Sequence, residues 1–333
     1  MDKSIGIGVI GCGAIAQEAH LPNYAAHPQA RLVAVADIDE GRARAAAEKF
    51  SVPHVYTDYH HLLARDDIQA VSICTPNYLH AEQTIAAAQA GKHVLCEKPM
   101  AISIAEADNM ISAAEDAKVQ LMVGFTHRFY PFNQKARELI AGGKIGRPYT
   151  VRCRFAHRGP YTSWGAMSEW FFDSKRAGGG AALDMGIHAL DLIRFVLGAE
   201  VRSVSANLAT FVHDIRDEDT AIINLEFSNG SLGYIETGWH SWPGTLGLEI
   251  YGAKGTIIVD YRTPLRLWTL ENDWQELTDF PAGGGWPAEI RYFVDALIKG
   301  EDVVPTGYDG LVSLRAALAA YDSHRLGRRV SLA

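Results

Sequence analysis

The sequence predicts two joined architectures, α/β followed by α+β: an amino-terminal doubly wound parallel sheet, then a domain built on a mostly antiparallel sheet. Three observations carry that reading. Residues 4–122 alternate short β-branched runs with alanine-rich helical stretches, the pattern of parallel βαβ units. Beyond residue 123 the runs lengthen and alternate in polarity, as antiparallel strands with one wet face do. The chain has 333 residues, more than the roughly 250–300 at which single cores stop growing. We therefore divide it into residues 1–123 and 124–333, with the boundary near Gly124.

In chain order, strands are expected at 5–10, 32–36, 70–74, 93–96 and 120–123, each a short apolar run. Helices fall between them at 41–50, 81–90 and 104–117, and Gly91 closes the second as a left-handed C-terminal residue. Pro22 must end or kink the helix after the first strand. The second part opens with a helix at 132–141 and a Gly142-Gly143 turn. Strands follow at 149–156, 201–212 and 220–226, and a hairpin joins 248–251 to 256–260. Residues 181–197 carry helical apolar spacing, and amphipathic helices at 288–299 and 308–326 finish the chain.

Hydrophobic residues at 48% and charged residues at 21% are ordinary globular values that exclude disorder and coiled coil. Lys and Arg number 31 against 39 Asp and Glu, a net charge of −8, so no basic surface is available for nucleic acid or anionic membrane. The longest apolar runs, such as 70–74, fall far short of the roughly 20 residues that span a bilayer. Met1-Asp2-Lys3-Ser4 runs straight into an apolar strand without the layout of a secretory signal. A soluble, cytoplasmic protein is expected. Cys12, Cys74, Cys96 and Cys153 lie in or beside apolar runs, with no C-x-x-C pair or zinc spacing, and are read as reduced and buried.

The first strand leads into Gly11-Cys12-Gly13-Ala14-Ile15-Ala16, a G-x-G-x-x-A loop opening a helix, and Asp37 ends the next strand 21 residues beyond Ala16. Strand, loop, helix, strand and terminal acid in one unit form a dinucleotide-binding fingerprint. Gly11 permits the tight turn, and Gly13 lets the backbone approach a pyrophosphate. Ala14 and Ile15 open the helix whose N-terminus favours the anion, and Ala16 keeps helix and sheet close. Asp37 would accept the ribose hydroxyls. Opposite a 2′-phosphate it would meet like-charge repulsion of about a few kcal/mol, so NAD is favoured over NADP. Arg42 and Arg44 stand close enough to soften that preference.

With these residues in view the sequence resembles the glucose-fructose oxidoreductase, inositol dehydrogenase and rhizopine catabolism (Gfo/Idh/MocA) family over nearly its whole length. Besides the glycine loop with His20, the resemblance rests on Thr75-Pro76-Asn77 with His80, Glu97-Lys98-Pro99, Gly178-Gly179-Gly180 leading to Asp184-Met185-Gly186-Ile187-His188, and Tyr321-Asp322-Ser323. It implies an amino-terminal Rossmann domain and a carboxy-terminal domain with a large, mostly antiparallel sheet. The outer face of that sheet would build homodimers or homotetramers. It further implies that Thr75, Pro76, Asn77, His80, Glu97 and Lys98 border the cofactor, and that Lys98, Asp184 and His188 are the catalytic set.

Glu97-Lys98-Pro99 follows the strand at 93–96, at the carboxyl edge where doubly wound sheets bind ligands. Pro99, when cis, would aim Lys98, with Glu97 a positioning or cofactor-contacting group. Oxidising a secondary alcohol removes a hydride and a proton, and a His titrating near neutrality suits the proton step. His188 is read as the general base, Asp184, four residues earlier on the same helical face, as substrate anchor and orienter, and Lys98 as electrostatic and proton-relay partner.

A sugar or polyol substrate would meet Arg158-Gly159-Pro160-Tyr161 through Trp164 and Trp170, with Trp239-His240. Aromatic faces stack on C–H surfaces while polar groups bind hydroxyls. His127 and Arg128 are expected to border nicotinamide and substrate. Asp191 is expected to pair with an Arg such as Arg194 or to order its helix, and no metal is expected. Two activities fit this set: an NAD-dependent dehydrogenase acting on a ring hydroxyl of a sugar, sugar derivative or inositol, and a glycoside hydrolase using transient oxidation and elimination.

Overall fold

Short runs buried on both faces build the first of two sheets. The computed structural model describes residues 4–160, 169–212, 215–281 and 283–332. The chain divides into two units: Met1–Thr126 with Arg176–Gly178 and Gly284–Leu311, and His127–Lys175 with Gly179–Gly283 and Val312–Ala333.

In the first unit β1 (Ile5–Ile10), β2 (Ala30–Ala36), β3 (His54–Tyr56), β4 (Ala70–Ile73), β5 (His93–Cys96) and β6 (Leu121–Val123) pair in parallel, in the order β3-β2-β1-β4-β5-β6. The order reverses between β1 and β4, the switch point at which doubly wound sheets take ligands. Helices α1 (Leu21–Ala26), α2 (Glu40–Phe50), α3 (Tyr59–Leu63), α4 (His80–Gln89) and α5 (Ile104–Ala117) connect the strands. Asp39 caps α2 by accepting the Arg42 N–H, and Ser103 with Glu106 forms a reciprocal capping box on α5.

Two features differ from expectation. The edge strand β3 and short α3 were not foreseen, because His54-Val55-Tyr56 is too brief to show a period. Pro22 does not end its helix: the helical run continues from residue 14 to 26, with a π-helical turn, Ala16–His20, distorting it directly before the proline that lacks an N–H.

The chain continues through α6 (Pro131–Ala141), β7 (Pro148–Ala156), α7 (Ser174–Ala177), α8 (Ala181–Asp184), α9 (Gly186–Leu197), β8 (Val201–Ala209), β9 (Thr220–Phe227), β10 (Leu232–Gly238), β11 (Thr245–Gly252), β12 (Gly255–Asp260), β13 (Thr263–Thr269) and β14 (Asn272–Leu277). It ends with α10 (Trp286–Lys299), α11 (Gly307–Leu326) and β15 (Val330–Ser331). The second sheet has the order β14-β13-β12-β11-β7-β10-β9-β8-β15, antiparallel except for the parallel pair β7–β10. Val151, Cys153 and Phe155 of β7 and Leu248 and Ile250 of β11 are buried, and α9 packs on β7 and β10. The expected strand at 201–212 stops at Ala209. β14 escaped notice because nearly every residue in it is exposed, leaving no alternation to read. Among the described residues, no helix is long and apolar enough to cross a membrane.

The segment at 181–197 forms two helices instead of one, with Met185 between them, so Asp184 closes α8 and His188 lies in the first turn of α9. The start of α8 is braced from two sides. Glu218 accepts the Ala182 N–H (2.8 Å) and the Tyr321 hydroxyl (2.7 Å) on Oε1, and the Tyr321 oxygen accepts the Gly180 N–H (3.0 Å). A Cβ on Gly179 would fall 2.2 Å from that hydroxyl, and one on Gly180 2.2 Å from the Glu218 carbonyl oxygen. The glycine run and the distant Tyr321 thus serve one contact.

Burial holds the Glu218 carboxyl above its ordinary value, against the Tyr321 and Ala182 hydrogen bonds that pull it down. A raised folded value means that its contribution is full below the unfolded value of 4.5 and is lost as pH rises through the folded one. Glu218→Gln keeps an acceptor oxygen and carries no charge. Relative to wild type, the variant's unfolding temperature should rise as pH goes from acid to neutral, measured by calorimetry on both proteins. A difference between the two that stays constant or moves toward wild type over that range would contradict this.

Candidate active site

The nucleotide end of the site begins where β1 stops. Gly11 has φ +89°, and a Cβ there would meet the Cys74 carbonyl carbon and oxygen at 2.7 Å. Only glycine fits this turn. Gly13 is different: a Cβ there would find nothing within 4 Å. The protein's own packing does not require that glycine, whereas a pyrophosphate lying against the loop would. Gly13, Ala14 and Ile15 are half-buried at the start of the helical run, where N–H groups and the helix dipole favour an anion. These residues fit a dinucleotide.

Asp37 stands beside the loop. Its Oδ2 accepts the Cys12 N–H (2.8 Å) and the Arg42 Nε–H (3.1 Å), and its Oδ1 accepts the Asp39 N–H (2.9 Å). Arg42 therefore lies directly on the carboxylate expected to hold the ribose, while Arg44 pairs with Glu40. Cys12 is buried, and burial together with the Asp37 charge pushes its thiol up to about 12. All four cysteines are free and buried.

At the ends of β4 and β5 two loops are tied together. Thr75 Oγ1 donates to Gln83 Oε1 (2.6 Å), and Asn77 Nδ2 donates to the Ala177 carbonyl (2.7 Å). His80 is 1% exposed, and its two ring nitrogens lie 2.8 Å from the Pro99 and Thr75 carbonyl oxygens. The imidazole expected beside the cofactor lies between main-chain carbonyls and joins the Thr75 and Pro99 loops. Glu97 is also buried, with Oε1 2.9 Å from His20 Nε2 and Oε2 accepting the Lys98 N–H (3.1 Å). Burial pushes its carboxyl up, but the His20 hydrogen bond and the Lys98 charge bring it below the ordinary value. It too is internal. Lys98 is half-buried, and its peptide bond to Pro99 is cis.

The second unit carries a carboxylate and an imidazole of its own, Asp184 and His188. Asp184 is 9% exposed, and its Oδ2 accepts the Trp239 indole N–H at 3.0 Å. Trp239, expected in a substrate loop, is fully buried and holds Asp184 instead. The His188 ring meets the His127 ring edge-on, with centroids 4.7 Å apart. Asn133 Nδ2 donates to the Tyr261 hydroxyl (2.9 Å), and that hydroxyl lies 2.8 Å from His127 Nδ1. Tyr261 and Asn133 thus hold the His127 ring beside His188.

Arg128 is not placed to bind substrate. Its Nε and terminal nitrogen donate to both oxygens of Asp191 (2.8 and 2.6 Å) within the core, over the Phe195 ring. Truncating either partner of such a buried pair costs about 3–5 kcal/mol. Asp191 pairs chiefly with Arg128 and lies 3.7 Å from Arg194, whose own carboxylate partner is Glu200 at 2.7 Å. Arg158 lies over the exposed Trp242 ring, and Trp170 is half-buried against Phe171. Trp164 lies outside the described residues. Among the described residues no group of three His, Cys, Asp or Glu is arranged to hold a metal ion. Sequence reasoning missed Ser72, Glu218 and Tyr261, whose partners lie far away along the chain and leave no local signal.

Two family models match successive parts of the chain. Residues 5–125 match the family model described as oxidoreductase family, NAD-binding Rossmann fold, and residues 133–258 match the GFO/IDH/MocA C-terminal domain. Myo-inositol 2-dehydrogenase of Thermotoga maritima is 32% identical over 98% of each chain. An oxidoreductase domain protein from Kribbella flavida superposes with a TM-score of 0.91 at 31% identity, over 99% of this chain and all of that one. Levoglucosan dehydrogenase in complex with NADH and levoglucosan gives 0.88 at 28% identity, over 98% and 99% of the two chains. The glycine loop, the Asp184–His188 segment and these matches together establish that the chain belongs to the Gfo/Idh/MocA family of NAD-binding oxidoreductases.

Proposed function

We propose that this protein is an NAD-dependent dehydrogenase that moves a hydride between nicotinamide and a ring hydroxyl or keto group of a sugar, sugar derivative or inositol. The observation that carries the reading is Gly13, a glycine that internal packing does not demand, facing open space in the loop beside Asp37. The substrate class is supported by relatives named for inositol and levoglucosan. Residues 1–123 hold the dinucleotide through Gly11, Gly13, Ala14, Ile15, Asp37, Thr75, Pro76 and Asn77. Residues 124–333 hold substrate through His127, Arg158, Trp164, Trp170, Asp184 and His188 and build a homodimer or homotetramer. The enzyme works in the cytoplasm.

Bound NAD supplies the hydride acceptor. His188 takes the hydroxyl proton as the C–H bond breaks, and its exchange with solvent closes the proton balance. Asp184, fixed by Trp239 through Oδ2, anchors substrate hydroxyl groups and orients the base. Lys98 donates to the substrate oxygen and stabilises the charge that develops there.

Two experiments test the assignment. In wild type, initial rates with inositols, aldoses and aldonolactones should favour NAD over NADP. Asp37→Ser with Ile38→Arg should move the ratio of specificity constants toward NADP, because a repulsive carboxylate becomes a phosphate-binding pair. An unchanged ratio removes Asp37 from the ribose site. His188→Asn keeps a hydrogen bond but takes no proton. It should lower kcat by roughly 100- to 10,000-fold and flatten the pH profile, with KM changing much less. Wild-type kcat with an unaltered profile removes His188 from the proton step.

A further inference from the structure

A buried chain of polar groups runs behind Lys98 in the first unit. His20 lies in the π-helical turn directly after the glycine loop and is 1% exposed. Its Nδ1 is 3.0 Å from Ser72 Oγ in β4, and its Nε2 is 2.9 Å from Glu97 Oε1 at the end of β5. Tyr24 of α1 extends the chain, its hydroxyl 2.7 Å from the same Ser72 oxygen. The second Glu97 oxygen accepts the Lys98 N–H at 3.1 Å. A carboxylate only accepts, so His20 Nε2 carries the proton of that contact.

The arrangement is costly and confined. Burying an imidazole against a carboxylate is seldom cheaper than packing apolar groups in the same volume. The space around Glu97 is also closed: a Cβ on Gly124 would stand 3.3 Å from its carboxyl carbon and both oxygens. Glu97 therefore has little freedom to turn, and its charge is retained despite burial. π-Helical turns occur frequently at functional sites, and this one brings His20 from the glycine-loop helix onto β4 and β5.

We infer that His20, through Glu97, is a positioning residue for Lys98: it sets the direction of the Lys98 main chain from the helix that follows the pyrophosphate loop. The inference rests on the reading of Lys98 as a catalytic group. Ser72 and Tyr24 hold the imidazole from its other side, so that the ring presents Nε2–H to the carboxylate in one orientation. The turnover step depends on this chain, and cofactor affinity does not, because the loop and ribose contacts are made by Gly11, Gly13 and Asp37.

The test uses the full chain with NAD and an accepted polyol, comparing His20→Ala, His20→Gln, Glu97→Gln and Lys98→Met. His20→Ala should lower kcat on the order of 100-fold, the effect of a small misplacement of a reacting group. The NADH dissociation constant, read from nicotinamide fluorescence, and the substrate KM should stay within about threefold. His20→Gln offers an amide N–H toward Glu97 and should recover kcat to within about tenfold of wild type. A folded His20→Ala enzyme with near-normal kcat overturns the inference, as does equal loss of kcat and NADH affinity in both His20 variants. If His20→Ala does not fold, Glu97→Gln, which leaves no unpaired charge, decides: kcat lowered with NADH affinity kept supports the relay, and near-normal kcat overturns it. Lys98→Met separates the two claims. Its collapse alongside a fully active His20→Ala sinks the relay alone, whereas a fully active Lys98→Met sinks the reading of Lys98 and the relay with it.

Discussion

The close passage of Gly11 against the Cys74 carbonyl is the constraint from which the nucleotide site follows. No side chain fits at 2.7 Å from that carbonyl, so the chain leaves β1 in a left-handed turn and enters its helix beside the end of β4. The turn aims the Cys12 N–H at Asp37 and leaves Gly13 open. It also sets the start of the π-helical turn that brings His20 under β4 and β5. The strand order reverses at this point, so loops from β1, β4 and β5 share one edge of the sheet.

The second unit solves a different problem, that of keeping a carboxylate and an imidazole fixed at a break between two helices. Asp184 is held through its side chain by Trp239 and through its helix by Glu218 and Tyr321. His188 lies against His127, whose ring is held by Tyr261 and, through it, by Asn133. Proton transfer is sensitive to small displacements, and in each case a side chain from elsewhere in the same unit backs the group that would meet substrate. The buried Arg128–Asp191 pair ties α9 to the segment carrying His127.

Most of the parallel sheet was legible because its strands are apolar throughout and its turns carry glycine or a capping residue. The glycine loop, Asp37 and the Glu97-Lys98-Pro99 turn could be placed from their positions after strands. What escaped is non-local or aperiodic. β3 is three residues long and β14 is exposed on nearly every position, so neither shows a period. Arg128 looked like a ligand group from its chain position, and His80 from the family resemblance. Their burial and partners, Asp191 63 residues away and the carbonyls of Thr75 and Pro99, assign them to structure. The Gly179-Gly180 pair was recognisable as a motif, but its physical reason, room for Tyr321 and Glu218, required the fold.

The central claim is direct hydride transfer from a ring carbon of a polyol to the bound dinucleotide. It is tested most directly by supplying inositol or a sugar deuterated at its ring carbons together with NAD and examining the reduced cofactor by mass spectrometry and NMR. The account predicts a single deuterium at nicotinamide C4, on one face of the ring, with none acquired from deuterated water when the substrate is unlabelled. NADH that carries no substrate deuterium, or carries solvent deuterium, would contradict it.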